Sequence, residues 1–263
     1  MSTPSPRVVI TGAGTGIGRA TALRFASDGA RLLLIGRRQE PIETTAADCL
    51  SAGAASAAFA ATDVASKPNA KGSLANAVAT FAADCGDGVD ILIANAGINP
   101  QRCPASDVDD AAWDDTFRVN VAGVHRACQA VLPHMLSNDA DENNLRGAIV
   151  ATASIAGMQG MKNRAAYGPS KAAVINYTQS LAVDYGAKGI RANCVCPGFV
   201  VTDINRHWIK ELPKEQLASV ENRHLLGLGS PEAVADAIHF LASPAARWMT
   251  GVVLPFDGGW SCH

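Results

Sequence analysis

Residues 7–18 read RVVITGAGTGIG, a short apolar, β-branched run that passes directly into a turn carrying four glycines. β-Branched residues favour a strand, and glycines at a strand-to-helix turn let the backbone approach a ligand closely. Residues 16–28 follow with helical period, so the turn opens onto a helix N-terminus. Its unpaired N–H groups and partial positive charge suit a pyrophosphate. The spacing is not G-x-G-x-x-G, because the sixth residue from Gly12 is Ile17. The glycines that matter are therefore Gly12, Gly16 and Gly18, with Thr15 and Ile17 on the same turn and Gly14 as a further small residue.

The same alternation continues outward. RLLLI (31–35) precedes a helical stretch at 39–52, AAFAAT (57–62) one at 67–84, and VDILIAN (89–95) one at 107–137. GAIVATAS (147–154) is followed by 166–186, IRANCVC (190–196) by 231–243, and GVVLPFD (251–257) closes the series. Strands that read as continuous apolar runs, alternating with helices, predict an α/β fold: a doubly wound, seven-stranded parallel sheet with helices on both faces. No linker or composition shift cuts the pattern, so residues 1–263 are expected to form a single domain, with 1–6 as a disordered N-terminus. Two segments break the rhythm. The polar stretch 137–147 reads as an exposed loop, and 199–229 is long for a connection in a compact domain, which makes it the candidate substrate cover.

Composition narrows the function. Charged residues make up 17% of the 263 and the formal net charge is −2, so neither a polyanion-binding surface nor an acidic tail is indicated. Nucleic acid is not an expected partner. No apolar run approaches the roughly 18 residues that span a bilayer, and the N-terminus lacks a basic region followed by an apolar one. A soluble, cytoplasmic protein is the expectation, with no membrane partner. Seven cysteines at irregular spacing do not resemble a disulfide framework. Cys194 and Cys196 lie in a β-like run without a second Cys/His pair at finger spacing, so they read as buried strand residues and no metal is expected.

The second strand bears on the nucleotide. An acidic residue about 20 positions beyond the glycines would hold the ribose 2′-OH of NAD, whereas arginine there accommodates the 2′-phosphate of NADP. Here the strand ends LLLIGRRQE, with Gly36 in the acidic slot and Arg37 and Arg38 next. Two guanidinium forks suit a phosphate, so NADP(H) is favoured over NAD(H). After the third strand, Asp63, with Val64 beside it, is open to two readings: acceptor for the adenine edge, or cap of the next segment. Asn95, Ala96 and Gly97 follow the fourth strand, where ligands sit in open α/β sheets, and small residues there let backbone lie against a ribose or ring.

TGAGTGIG, NAGIN, YGPSK and CPGFVVTDI, in this order and at these separations, resemble the short-chain dehydrogenase/reductase family from Arg7 to Gly259. The resemblance implies a Rossmann-type fold, a nicotinamide dinucleotide, and a catalytic set that maps onto Asn120, Ser154, Tyr167 and Lys171. It also implies that Lys171 holds the nicotinamide ribose hydroxyls and that Asn120 anchors a water relaying protons towards solvent. Tyr167 and Lys171 thereby count among the cofactor-binding residues too. Pro197 and Gly198 lead the chain out of the sheet, and Val200 backbone with Thr202 would face the nicotinamide carboxamide.

The residue types fit the chemistry without the family. Hydride reduction of a ketone leaves a developing alkoxide, which needs a proton donor and a hydrogen-bond donor on its oxygen. Tyr167 supplies the first and Ser154 the second. A free phenol has a pKa of about 10; if Lys171 and the nicotinamide charge lowered it by about two units, the interaction would amount to roughly 2.7 kcal/mol. Pro169 is tolerated because it falls in the first turn of the helix that Tyr167 begins.

The expected activity is thus NADP(H)-dependent interconversion of a ketone and a secondary alcohol, with the NAD(H)-dependent enzyme of the same fold as the alternative. A non-catalytic dinucleotide sensor would be expected to lose Tyr167 or Lys171. Sugar-nucleotide epimerases and dehydratases tend to a longer chain with a separate C-terminal lobe, and no G-x-S-x-G elbow supports a serine hydrolase. The substrate walls are expected from Ile155, Ala156, Gly157, Met161, Phe199, Trp208, Leu212, Leu225 and Leu226. Lys162 and Arg164 are two loop charges open to two readings, attraction of a carrier-bound acyl chain or simple solvation. By resemblance the chain forms a homotetramer, otherwise a dimer.

Overall fold

Successive residues of each central strand point to opposite faces of a sheet, and here both faces are apolar. In the computed structural model, strand β1 (Arg7–Thr11) sends Val8 and Ile10 into one core and Val9 into the other. Strand β2 (Arg31–Gly36) divides Leu32 and Leu34 from Leu33 and Ile35 in the same way. The structure describes residues 5–66, 73–86, 88–211 and 213–262, apart from the side chains of His207, Trp208 and Lys210. Of the expected disordered N-terminus, residues 1–4 lie outside the described residues, as does the expected helix start at 67.

Five further strands complete the sheet: β3 (Ser56–Ala61), β4 (Ile91–Ala94), β5 (Gly147–Thr152), β6 (Ile190–Pro197) and β7 (Val253–Phe256). All seven are parallel, in the order 3-2-1-4-5-6-7. Helices α1 (Gly16–Ala26) and α2 (Gln39–Ser51), together with the helix at Pro231–Ala242, cover one face with Phe25, Ala46, Cys49 and Ile238. On the other face lie α3 (Leu74–Asp84) and the helices Gly123–Leu136 and Tyr167–Tyr185, with Phe81, Val131, Met135 and Val174. This is the single doubly wound Rossmann-type domain the sequence predicts. Cys194 and Cys196 are wholly buried within β6.

Chain direction across the sheet reverses between β1 and β4. The connections leaving these two strands go opposite ways, which opens a crevice above their carboxyl ends.

Two elements depart from the periodicity. The stretch expected as one helix over 107–137 is α4 (Asp110–Phe117), a π-helical turn at Arg118–Ala122, then α5 (Gly123–Leu136). It starts at Asp109, whose side chain accepts the Ala112 N–H at 2.7 Å. Next along the chain is α6 (Tyr167–Tyr185), which has Pro169 in its first turn. The segment 199–229 carries two short helices, α7 (Arg206–Glu211) and α8 (Lys214–Asn222). Finally α9 (Pro231–Ala242) begins with a Ser230 cap and proline in its first turn.

A buried cation ties the last helix to the sheet. Arg191 on β6 is 5% exposed and donates to the carbonyls of Leu241, Ala242 and Ser243 at 2.7, 3.0 and 3.2 Å. These belong to the C-terminal end of α9, where the helix dipole is negative. Burial lowers the guanidinium's pKa from its ordinary value. Arg191→Met, which keeps the bulk but leaves these carbonyls without a donor, is expected to lower stability by about 2–3 kcal/mol. The check is urea unfolding, where the midpoint should fall while the slope stays unchanged.

Candidate active site

The glycine turn sits where β1 meets the end of β4. Thr11 Oγ1 accepts the backbone N–H groups of Asn95 at 3.0 Å and Ala96 at 3.1 Å, and the Asn95 amide donates to the carbonyls of Thr11 and Gly12 at 3.2 and 3.3 Å. Gly12 has φ +67° and a Cβ there would lie 2.9 Å from Ala96 Cα. A Cβ on Gly18 would come 2.1 Å from the Gly12 carbonyl oxygen, so Gly18 brings α1 down onto the turn. Gly16 (φ +53°) lies under Thr202. Thr15 caps α1 without a side-chain hydrogen bond, and the first turn has no acidic residue, which leaves that end suited to an anion.

The four expected catalytic residues converge from different elements. Ser154, just beyond β5, accepts the Ala156 N–H at 3.1 Å and shares the cavity wall with Tyr167, whose phenolate form it favours. Tyr167 opens α6, and Lys171, one turn on, is 4% exposed and donates to the Thr152 carbonyl at 2.8 Å. The ammonium lies 5.7 Å from the centre of the Tyr167 ring. Asn120 is fully buried in the π-helical turn. Its Oδ1 accepts the Ile98 N–H at 2.7 Å, and its amide donates to the Ile98 carbonyl at 2.9 Å and Ser170 Oγ at 3.0 Å. Ser170 Oγ in turn donates to the Tyr167 carbonyl at 2.7 Å. A Cβ on Gly97 would lie 3.3 Å from both Asn120 Oδ1 and Lys171 Nζ, so only glycine leaves these two side chains where they are.

The expectation that the phenol is lowered concerns Lys171 together with the nicotinamide charge; among the protein's own groups, burial sets the balance. Burial pushes the Tyr167 phenol above its ordinary pKa, opposed by Ser154 and the fields of Arg164 and Arg102. The same burial lowers Lys171 to about 8. Desolvation thus acts on both groups in the direction of their neutral forms.

A cavity of about 710 Å3 runs along the carboxyl edge of the sheet. Its wall includes Gly12, Thr15, Gly16, Ile17, Arg37, Arg38, Asp63 and Val64, then Asn95, Ala96, Gly97, Ser154, Tyr167 and Lys171, and finally Pro197, Gly198, Val200 and Thr202. Gly18 and Asn120 are not on the wall; they support residues that are. Arg37 and Arg38 are exposed on the loop into α2. Gly36 is held small by α2, since a Cβ there would lie 2.7 Å from Ile42 Cγ2. For Asp63 both readings meet: it lines the cavity and also accepts the Ala65 N–H at 2.9 Å and pairs with Arg118 at 3.1 Å. Burial raises its carboxyl, but these two partners pull it below the ordinary value.

Among the expected substrate walls, Ile155, Ala156, Met161 and Phe199 line the cavity. Gly157 does not: it packs on α6, where a Cβ would sit 2.6 Å from the Lys171 carbonyl carbon. Leu225 and Leu226 are turned out, 66% and 87% exposed. The neighbouring His224 takes the inward position, its Nε2 accepting the Phe199 N–H at 3.1 Å and its Nδ1 lying 2.8 Å from the Val220 carbonyl. The side chain of Trp208, and Leu212, lie outside the described residues. Lys162 is exposed and off the wall, whereas Arg164 lines it, as does Arg102. Arg102 carried no signal in the sequence beyond its place seven residues after Asn95. Asn205 was also missed: it accepts the Thr202 N–H at 2.9 Å and donates to the Val200 carbonyl at 2.7 Å, fixing the start of the covering segment.

The cavity fits a nicotinamide dinucleotide on its own geometry. Its glycines close the space that any side chain would fill, an uncapped helix N-terminus opens at one edge, and two guanidiniums flank it. Asn99 Oδ1 and Thr152 Oγ1, both on the wall, are buried with no hydrogen-bond partner among the described residues. Buried polar atoms of this kind ordinarily find a partner in a ligand or water.

Comparison with known proteins agrees. The family described as enoyl-(acyl carrier protein) reductase matches residues 12–261. The chain is 37% identical to cis-4-hydroxycyclohexanecarboxylate dehydrogenase of Sinomonas cyclohexanicum, over 96% of this chain and 95% of that one. Among solved structures it is similar to carveol dehydrogenase from Mycobacterium avium in complex with NAD, with TM-score 0.87, 28% identity and full coverage of both chains. It is also similar to 3-ketoacyl-(acyl-carrier-protein) reductase from Brucella melitensis complexed with NADH. There the TM-score is 0.84 and identity 29%, over 97% of this chain and 98% of that one.

Proposed function

The chain belongs to the short-chain dehydrogenase/reductase family and acts on alcohol or ketone groups with NAD(P), and from that premise we propose an NADP(H)-dependent ketone reductase and secondary alcohol dehydrogenase in which Tyr167 is the acid/base. The observation that carries the reading is the convergence of Ser154, Tyr167 and Lys171 on the wall of a glycine-lined cavity. When bound, the nicotinamide supplies or accepts the hydride. Ser154 donates its hydroxyl hydrogen to the carbonyl oxygen and fixes the carbonyl next to the phenol. Tyr167 hands its proton to the oxygen as negative charge develops there; a phenol whose proton is held by burial keeps it until that moment. Lys171 is anchored by the Thr152 carbonyl, and its ammonium, with three donors, has further hydrogens for a ribose hydroxyl. Asn120 holds Ile98 and Ser170, and through Ser170 the first turn of α6 that carries Tyr167. It also stands next to Lys171 at Gly97, where a water relaying protons would join the two.

Residues Ile155, Met161 and Phe199, with the start of the 199–229 cover, make an apolar pocket beside Ser154 and suit a compact cyclic ketone. Relatives named for carveol and for a hydroxycyclohexane acid support that size class. Tyr167→Phe is expected to lower kcat for a cyclic ketone by about 10²–10⁴-fold while NADPH still binds. Near-native turnover would remove the phenol from the mechanism and revive the sensor alternative.

The preference for NADP(H) rests on Gly36 in the acidic slot and on Arg37 and Arg38 at the cavity wall. The NAD and NADH bound in two solved relatives favour the second reading, an NAD(H) enzyme. Wild-type kcat/KM should favour NADPH by at least tenfold, and Arg37→Ala with Arg38→Ala should erase that preference while leaving NADH kinetics nearly unchanged. Equal use of both cofactors by the wild type decides for the second reading.

A homotetramer, otherwise a dimer, completes the proposal. Support comes from the edge strand β7, which offers its open side and a partly exposed Phe256 to a partner, with Phe240 on α9 44% and Trp248 98% exposed. Light scattering should return close to four times the 27.2 kDa chain mass; a monodisperse monomer would refute it.

A further inference from the structure

His224 lies near the end of the 199–229 cover, yet its side chain reaches back to the start. The ring is buried while Leu225 and Leu226 beside it stay exposed. Transfer to the interior favours leucine over imidazole, so hydrophobicity does not account for this arrangement. Directed hydrogen bonds do. Val220 is in the last turn of α8, where a helix leaves its carbonyls without intrahelical partners, and Phe199 lies two residues past the end of β6. His224 meets both, with Nδ1 2.8 Å from the Val220 carbonyl and Nε2 accepting the Phe199 N–H at 3.1 Å. A carbonyl only accepts, so Nδ1 carries the hydrogen and Nε2 serves as the acceptor.

Other contacts close around the same ring. Its centroid lies 5.7 Å from that of Phe199 and 4.8 Å from that of Trp260, and the latter two are 5.4 Å apart. The Arg223 guanidinium covers the Trp260 ring at 4.0 Å. Gly198 is held small from this side, since a Cβ there would lie 2.9 Å from both His224 Nε2 and Asp257 Cα. The Phe199 carbonyl in turn accepts the Gly229 N–H at 2.9 Å. Both backbone polar groups of Phe199 are thus held by the closing end of the cover, and Phe199 itself lines the cavity. A cover fastened in this way carries that wall with it when it moves.

We propose that His224 is a positioning residue for the substrate: by accepting the Phe199 N–H it sets where the Phe199 wall stands and joins that wall to the 199–229 cover. The inference rests on the reductase reading in taking the wall as the substrate's. His224 is not on the cavity wall, so it acts through Phe199.

The test compares three variants. His224→Phe keeps a ring between Phe199 and Trp260 but offers no acceptor, His224→Gln restores an acceptor at the reach of Nε2, and His224→Asn reaches towards Val220 but not Phe199. Hydrogen exchange of the full chain, resolved by fragmentation in a mass spectrometer, reads the Phe199 amide directly. Its exchange should quicken about tenfold or more in the Phe and Asn variants and stay close to wild type in the Gln variant. With cyclohexanone at saturating NADPH, His224→Phe should raise KM about tenfold and leave kcat within about threefold, and His224→Gln should recover most of the loss. A cooperative urea transition shows that a variant is folded; should His224→Phe not fold, His224→Asn carries the same expectations. Unchanged Phe199 exchange in the variants lacking the acceptor, equal damage by Gln, or a fall in kcat at constant KM would each overturn the proposal. Ketone turnover with unaltered Phe199 exchange sinks only the inference. Faster exchange in a protein that turns over no ketone sinks the reductase reading and leaves the tie between cover and wall.

Discussion

The approach of the first turn to the end of the fourth strand is the contact on which the rest of the site depends. It allows no side chain at Gly12, whose Cβ would meet Ala96, and none at Gly18, whose Cβ would meet the Gly12 carbonyl. It is held by a single hydroxyl accepting two backbone N–H groups and by one amide donating to two carbonyls. Because β1 and β4 are neighbours whose connections leave in opposite directions, this clamp sets the floor of the crevice. The same short run of small residues then reaches Gly97, against which Asn120 and Lys171 both rest. Nucleotide end and chemical end therefore share one rigid lip, and an error at one is passed to the other through backbone.

Local signals made much of this legible in the sequence. Strands buried on both faces read as unbroken apolar runs, and all seven fall where those runs stand. Glycines that a close approach demands and a proline allowed only in a first turn have local causes and so leave local traces. The π-helical turn at Arg118–Ala122 left none. It follows a continuous helical period, and what selects it is tertiary: Asn120 must turn inward to meet Ile98 and Ser170. Leu225 and Leu226 failed as wall residues for a similar reason. Hydrophobicity indicates that a leucine can be buried, but the inward place went to His224, whose ring links Phe199 and Val220. Arg102 was hidden because a loop arginine looks the same in sequence whether it meets water or a cavity, and for the same reason Lys162 and Arg164 looked alike although only Arg164 lines the cavity.

Those two arginines change the electrostatic account of the site. Sequence logic assigned the tuning of the phenol to Lys171, one helical turn away, together with the nicotinamide charge. In the folded chain the dominant effect is desolvation, which raises the phenol and lowers the ammonium together, and the influences opposing it at the phenol come from Ser154, Arg164 and Arg102. A phenol kept neutral by burial suits the reductive direction, in which it must give a proton; in the oxidative direction the positive charge of a bound oxidised nicotinamide would be the influence that favours the phenolate.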